Sequence, residues 1–236
     1  MKKSSLMTEG KRAIDWAERH MPVLAKIRRE FSKSRPLKGV QIGAALHVEA
    51  KTAVLMRTLM KAGAKVAITG CNPLSTKDEV AVALKQEGAS VYAKRGASSK
   101  EYYLSLQRVL SHEPDILIDD GADLVVLAHK KYPELIKHIL GASEETTTGV
   151  NRLRAMERNK ALRIPVVAVN DTPAKHLFDN RFGTAESTLQ AIMGTTNIQI
   201  SGKRIVVVGF GFVGRGIASR AKGMGAKVTV VEVNPI

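Results

Sequence analysis

Lys203-Arg204-Ile205-Val206-Val207-Val208-Gly209-Phe210-Gly211-Phe212-Val213-Gly214-Arg215-Gly216 is an apolar, β-branched run feeding a Gly-x-Gly-x-x-Gly turn. A strand, a tight turn and a helix in that order open a dinucleotide-binding unit. Gly209 suits the turn, Gly211 lets backbone approach a pyrophosphate, and Gly214 lets the helix pack on the strand. The positive end of the helix dipole then faces the phosphates. Lys227 to Glu232 reads as the second strand, and Glu232 stands at the spacing of about 20 residues expected of a ribose-binding carboxylate. The reading is NAD binding. A complete fold of this kind has two βαβαβ halves, whereas Lys203 to Ile236 holds only one βαβ unit. Either the protein continues beyond this sequence or that site is incomplete.

Upstream, strand and helix patterns alternate. Residues 40–43, 65–69, 90–93, 115–119 and 165–169 are apolar and β-branched, and read as strands. Residues 49–61, 77–86, 100–110 and 124–140 carry helical spacing, the last interrupted near Pro133. Asp15 to Phe31 is helical with a break at Pro22. Such alternation argues for a doubly wound parallel α/β sheet. Ligands of these sheets bind outside the carboxyl ends of the strands. That rule selects Ala44 to His47, Gly70 to Pro73, Asp119 to Asp123 and Asn170 to Thr172. A helix from about Phe182 to Ile192 would cross into the second unit, which places the boundary near Asn180.

Composition narrows the classes further. The chain has 236 residues, 44% of them hydrophobic and 25% charged, the balance of a globular protein. The single cysteine, Cys71, excludes an internal disulfide and fits a reducing, cytoplasmic setting. No apolar run follows the basic start and none approaches the roughly 18 residues of a membrane span. Neither a signal peptide nor a membrane partner is expected. The net charge of +15 invites nucleic acid, but the basic residues are dispersed and aromatics are only 4%. No nucleic-acid partner is expected, and no metal site is assigned.

Two segments stand apart. Gly141-Ala142-Ser143-Glu144-Glu145-Thr146-Thr147-Thr148-Gly149-Val150 gathers two acids and three threonines. Asn170-Asp171-Thr172-Pro173-Ala174-Lys175-His176-Leu177-Phe178-Asp179-Asn180 sets a lysine four residues before an acid, on one helix face. A capped helix start with a surface ion pair explains that spacing as well as a site does.

Together with Asp119-Asp120-Gly121, His47 and the Gly209 loop, these segments resemble the S-adenosylhomocysteine hydrolase family, archaeal or thermophilic-bacterial type. Asp15-Trp16-Ala17-Glu18 leading to Met21-Pro22 is similar to that family's N-terminal helix. The resemblance runs from about residue 10 to Ile236. It implies a substrate-binding and catalytic domain over residues 1–180 and the N-terminal part of a Rossmann NAD-binding domain over residues 181–236, in a family whose chains are longer and assemble as homotetramers. It implies a nucleoside thioether substrate, and bound NAD that oxidises the ribose 3′-hydroxyl and is regenerated within one turnover.

The resemblance also implies roles. Lys175 serves the 3′-oxygen, Asp120 the 4′-proton, and His47 the leaving sulfur and then water. Glu145 and Asp179 orient ribose hydroxyls, and Asn180 helps hold the cluster. Thr146, Thr147 and Thr148 meet the nicotinamide end of NAD. Asn180 also borders the cofactor, with Gly209, Gly211, Phe212, Val213, Gly214, Arg215 and Gly216 on the pyrophosphate and Glu232 on the ribose. The alternative is a catalytically incomplete fragment or nucleoside-binding subunit that lacks a full NAD site.

The sequence departs from the family at the purine. Many members carry a threonine two residues after the histidine and a glutamate four residues after it, and that glutamate accepts from the 6-amino group of adenine. Here the positions are Glu49 and Lys51. A lysine only donates, so it favours a 6-oxo purine, and both S-inosyl- and S-adenosylhomocysteine stay open as substrates. The other reading pairs Lys51 with Glu49, although residues at i,i+2 point apart on a helix. Lys77 stands where a glutamine is usual, Phe212 replaces an acid in the glycine loop, and Thr184 a cysteine.

Overall fold

A computed structural model describes residues 3–234. The chain divides into two units, residues 1–168 and 169–236. The first begins with α1 (Lys3–Arg19) and α2 (Pro22–Ser34), which part where Pro22 occupies the first turn of the second helix. Proline is tolerated there because the N–H it lacks would have no helical partner. There follow β1 (Gln41–Leu46), α3 (Ala50–Lys61), β2 (Lys65–Gly70), α4 (Asp78–Gln86), β3 (Ser90–Val91), α5 (Ser99–Leu110) and β4 (Ile116–Asp119). Then come α6 (Asp123–Lys131), α7 (Pro133–Ile136), β5 (Gly141–Glu144), α8 (Thr147–Arg158) and β6 (Val166–Ala168).

The six strands form one parallel sheet in the order β3-β2-β1-β4-β5-β6. Strand alternation sends Ile42, Ala44 and Leu46, with Val66 and Ile68, into a core under α1, α3 and α4. Ala45, Ala67 and Leu117 go to the opposite core, with Leu106, Val109, Leu124 and Val125 of α5 and α6. Because both faces are covered, the central strands are apolar at nearly every position. Ile68 and Leu117 are fully buried, each worth about 1.5–3 kcal/mol relative to exposure. The doubly wound parallel sheet expected from the alternation is therefore the observed fold.

β5 and α8 went unread in the sequence. Gly141-Ala142-Ser143-Glu144 has no β-branched residue, and its strand character comes from pairing with β4 and β6 rather than from propensity.

The second unit opens with a 3-10 turn, Val169–Asp171, and a π-helical stretch, Lys175–Gly183. It continues with α9 (Thr184–Thr196), β7 (Arg204–Val208), α10 (Phe212–Gly223) and β8 (Lys227–Val231). β7 and β8 pair in parallel, with Leu189, Ile200, Ala221 and Ala226 as their small core. No helix among the described residues is long and apolar enough to cross a membrane.

Candidate functional site

In the first unit the strand order changes direction between β1 and β4, where doubly wound sheets open a crevice. His47, Cys71, Asp120 and Glu145 are each the first residue after β1, β2, β4 and β5. The register aligns these ends: Leu46 pairs with Gly70, Ala45 with Asp119, and Asp119 with Glu144. Four chemistry-bearing side chains thus share one rim.

The contacts there are short. His47 Nδ1 lies 2.6 Å from Ser75 Oγ. Ser75 Oγ donates its own proton to the Asn72 carbonyl at 2.9 Å, so it accepts from His47 Nδ1–H, and the network assigns the Nε2 lone pair outward. Nε2 faces Asp120 Oδ2 at 3.3 Å. The Cys71 thiol donates to the same oxygen at 3.4 Å. Burial, and then the adjacent Asp120 carboxylate, pushes that thiol far up, so it is no nucleophile at neutral pH.

Beneath this rim lie two carboxylates that sequence reasoning did not single out. Asp119 and Glu144 are fully buried. Alternation along β4 and β5 turns them inward and leaves Asp120 and Glu145 at the rim. Glu144 accepts from the N–H groups of Gly121 at 2.8 Å, Ala122 at 3.0 Å and Thr146 at 3.0 Å. Asp119 accepts from Val125 N–H at 2.9 Å and Asp120 N–H at 3.0 Å. These donors include orphan amides at the start of α6, where the helix dipole favours negative charge. Ala122 is left-handed at φ 63°, a conformation costing a non-glycine residue about 1–2 kcal/mol. The Glu144 contacts hold that turn, and with it Asp120. The doubled acids Asp119-Asp120 and Glu144-Glu145 were the available signal: at a strand end, one of each pair must face inward.

Burial is the main cause that raises the Asp119 carboxyl from 3.8 to about 7, with Glu144 adding to it and the Val125 amide opposing. Between those values the folded chain holds a proton that the unfolded chain has released. The free energy of unfolding through this group therefore falls as pH rises from about 4 to about 7 and is flat above. The urea midpoint of wild type minus that of Asp119→Asn is expected to shrink over that interval. A difference independent of pH would remove the assignment.

Glu49 is the N-cap of α3, its carboxylate accepting from Thr52 N–H at 3.0 Å. It holds the helix start and makes no ion pair with Lys51 among the bridges found for the described residues. Lys51 is exposed on the first turn of that helix, and Lys77 caps α4 by position, also exposed. Thr146 is the N-cap of α8, and Thr147 and Thr148 are exposed on its first turn.

In the second unit, Lys175 Nζ donates to Asp179 Oδ2 at 2.6 Å and to Asn180 Oδ1 at 3.0 Å. The i→i+5 winding of a π-helix widens the turn, so residues i+4 and i+5 both flank residue i. The Lys175 side chain is only 13% exposed, while that of Asp179 is 55% exposed. Asp179 is therefore open to a ligand from outside while it grips the lysine.

The glycine loop lies in the same unit. Gly209 has φ +94°, and a Cβ on Gly214 would stand 2.0 Å from the Gly209 carbonyl oxygen, so neither position tolerates a side chain. A Cβ on Gly211, the N-cap of α10, would meet nothing within 4 Å. The helix start is open where a pyrophosphate would approach. Glu232 accepts from the Phe210, Val233 and Asn234 amides, which hold its carboxyl below the usual range. A charged carboxylate thus sits beside the loop, and these residues fit a dinucleotide. Gly216 is different: it is buried, and its Cβ would stand 2.0 Å from the Arg181 carbonyl oxygen. It brings α10 against the π-helical segment, and Phe212 stacks on His176 with ring centroids 5.1 Å apart.

Two family models match the chain. A family model described as S-adenosyl-L-homocysteine hydrolase matches residues 1–132. One described as S-adenosyl-L-homocysteine hydrolase, NAD binding domain, matches residues 180–236. An S-inosyl-L-homocysteine hydrolase of Methanopyrus kandleri is 59% identical over 98% of this chain and 55% of its own length. An adenosylhomocysteinase of Archaeoglobus fulgidus is 59% identical over 97% of this chain and 56% of its own length. The chain spans about half the length of the curated relatives it matches. Among solved structures, a dipicolinate synthase from Bacillus halodurans aligns at a TM-score of 0.46 with 18% identity, over 82% of this chain and 62% of that one.

Proposed function

The chain belongs to the S-adenosyl-L-homocysteine hydrolase family, and on that premise we propose that the protein carrying it cleaves S-inosyl- or S-adenosyl-L-homocysteine to nucleoside and homocysteine, with NAD as bound cofactor. The observation that supports this most is Lys175, held by Asp179 and Asn180 on a segment that Gly216 brings against the helix of the glycine loop. A proton-accepting group beside a dinucleotide cradle suits oxidation of an alcohol.

The Gly209–Gly214 loop and Glu232 would hold NAD, which when bound would supply reversible hydride acceptance for oxidation at the 3′-carbon of the ribose. Lys175 takes the 3′-hydroxyl proton as the neutral amine, after its ammonium has given up a proton, a change open to a lysine among polar neighbours. Asp179 and Glu145 accept from ribose hydroxyls in charge-assisted hydrogen bonds. Oxidation at the 3′-carbon acidifies the 4′-hydrogen, which Asp120 removes. The C5′–S bond breaks, and the sulfur takes a proton from His47 in its imidazolium form, which leaves the neutral ring to act on water. Water, activated by the same imidazole, adds at C5′, and the proton on Asp120 returns to C4′. Thr146, Thr147 and Thr148, at the start of α8, would border the nicotinamide end of bound NAD.

Lys51 supports a 6-oxo purine. The Glu49 carboxylate already serves the Thr52 amide, so of the two residues that depart from the family, Lys51 is the one left to meet the base, and it can only donate. A mismatched polar pair costs about 1–3 kcal/mol. The kcat/KM for S-inosyl-L-homocysteine, read by release of the homocysteine thiol, is expected to exceed that for the adenosyl compound. Lys51→Glu is expected to shift the ratio toward adenosyl by about ten- to a hundredfold. A strong adenosyl preference of the unmodified protein would overturn the purine assignment, and no thiol from either compound would overturn the function.

The tetramer, and the absence of nucleic-acid and membrane partners, complete the proposal. They rest on the family and on the dispersed basic residues.

A further inference from the structure

His47, Cys71 and Asp120 do more than line a rim. One donor atom from each lies within 4.8 Å of the other two. The three differ in chemistry: an imidazole nitrogen, a sulfur and a carboxylate oxygen. This mixed set suits borderline-to-soft divalent cations and is poorly suited to calcium or magnesium.

The spacing fits as well. A tetrahedral cation with nitrogen and oxygen ligands at about 2.0–2.1 Å and sulfur at about 2.3 Å has N–O edges of about 3.3 Å and S–O edges of about 3.5 Å. The observed edges are 3.3 Å from His47 Nε2 to Asp120 Oδ2 and 3.4 Å from Cys71 Sγ to that oxygen. The imidazole is also set in the ligating tautomer. Ser75 Oγ occupies Nδ1–H and is itself fixed by the Asn72 carbonyl, the outer-shell arrangement that orients a metal-binding histidine. With that tautomer, Nε2 and the Asp120 carboxylate present lone pairs to each other, an arrangement that a cation between them resolves. Access is open, because the His47 side chain is 48% exposed.

We propose that His47 Nε2, Cys71 Sγ and Asp120 Oδ2 form a three-ligand site for a zinc-like divalent cation, with a fourth position open to solvent. On binding, the thiol proton leaves to solvent and a sulfur–metal bond replaces the S–H···O contact. A cation held there occupies His47 and Asp120 and excludes them from any proton transfer. The site is therefore inhibitory toward the chemistry proposed above. Binding itself does not rest on that reading.

Cobalt(II) tests it, because Cys71 is the only cysteine and a thiolate-to-cobalt charge-transfer band has no other origin. Titration of the chain with cobalt under a phosphine reductant is expected to give that band, with the visible bands of tetrahedral cobalt, saturating at one equivalent. Cys71→Ser is expected to abolish the charge-transfer band. Ser75→Ala, which removes the orienting contact and leaves all three ligands in place, is expected to keep the band and weaken affinity about ten- to a hundredfold, and His47→Gln to weaken it at least as much. No charge-transfer band for the wild-type chain at saturating cobalt would overturn the site, whatever the variants do. A band whose affinity is unchanged in His47→Gln would overturn the ligand set.

Discussion

Lys175→Ala is expected to lower kcat of the protein that carries this chain by about a hundred- to ten-thousandfold, the range typical of a positioned general acid or base. The same change should barely alter stability. An exposed i,i+4 ion pair contributes about 0.3–0.5 kcal/mol, and although Lys175 is mostly buried, its partner Asp179 is more than half exposed. The two readings left open by the sequence therefore separate cleanly. A surface ion pair predicts a small stability loss and unchanged turnover; a base at the 3′-oxygen predicts unchanged folding and lost turnover. Lys175→Arg should not rescue, because a guanidinium keeps its proton. Retained kcat in Lys175→Ala, measured by thiol release, would return the residue to the surface-pair reading.

Gly149→Ala carries the second large effect, and its sign is informative. Gly149 lies in the first turn of α8. Helix propensity alone favours alanine there by about 0.8–1 kcal/mol. The fold says otherwise: a Cβ at this position would stand 2.2 Å from the Glu144 carboxyl carbon. That carboxyl cannot move without abandoning the Gly121, Ala122 and Thr146 amides. Each buried amide left without a partner costs about 1–3 kcal/mol. A loss of about 3 kcal/mol or more is expected in the unfolding free energy measured by denaturant titration, and with it the placement of Asp120. Stabilisation, or no change, would show that Glu144 is not the keystone described here.

These residues also show where the sequence was legible. The strands β1, β2 and β4 have apolar neighbours on both faces, so their apolar runs pointed to a parallel sheet. Pro22 and Pro133 marked real helix starts, because proline can occupy the first helical turn and not the interior. The Gly209 loop was readable since Gly209 and Gly214 answer local backbone demands, whereas Gly211 leaves the helix start open and Gly216 answers to a neighbouring segment. β5 was not readable, as a four-residue strand of small and acidic residues is made by its neighbours.

The inward or outward facing of Asp119 against Asp120, and of Glu144 against Glu145, depends on strand register, which composition does not carry. Resemblance picked the rim member of each pair and passed over the buried one. Glu49, expected near the purine, is also the N-cap of α3, a role its sequence position did not announce. The grouping of Cys71 with His47 and Asp120 was invisible for a related reason. The three come from three different strands, and no short metal-ligand spacing links them.

The central claim is that Lys175 and the glycine loop belong to one redox device used to break a thioether. The direct measurement is the near-ultraviolet absorbance of reduced nicotinamide after inosine or adenosine is added to the NAD-loaded protein that carries this chain. Rapid appearance of that absorbance with the unmodified protein, and its absence with Lys175→Ala, is the predicted result. Release of homocysteine thiol from the substrate with no reduction of the nicotinamide at any time would contradict it.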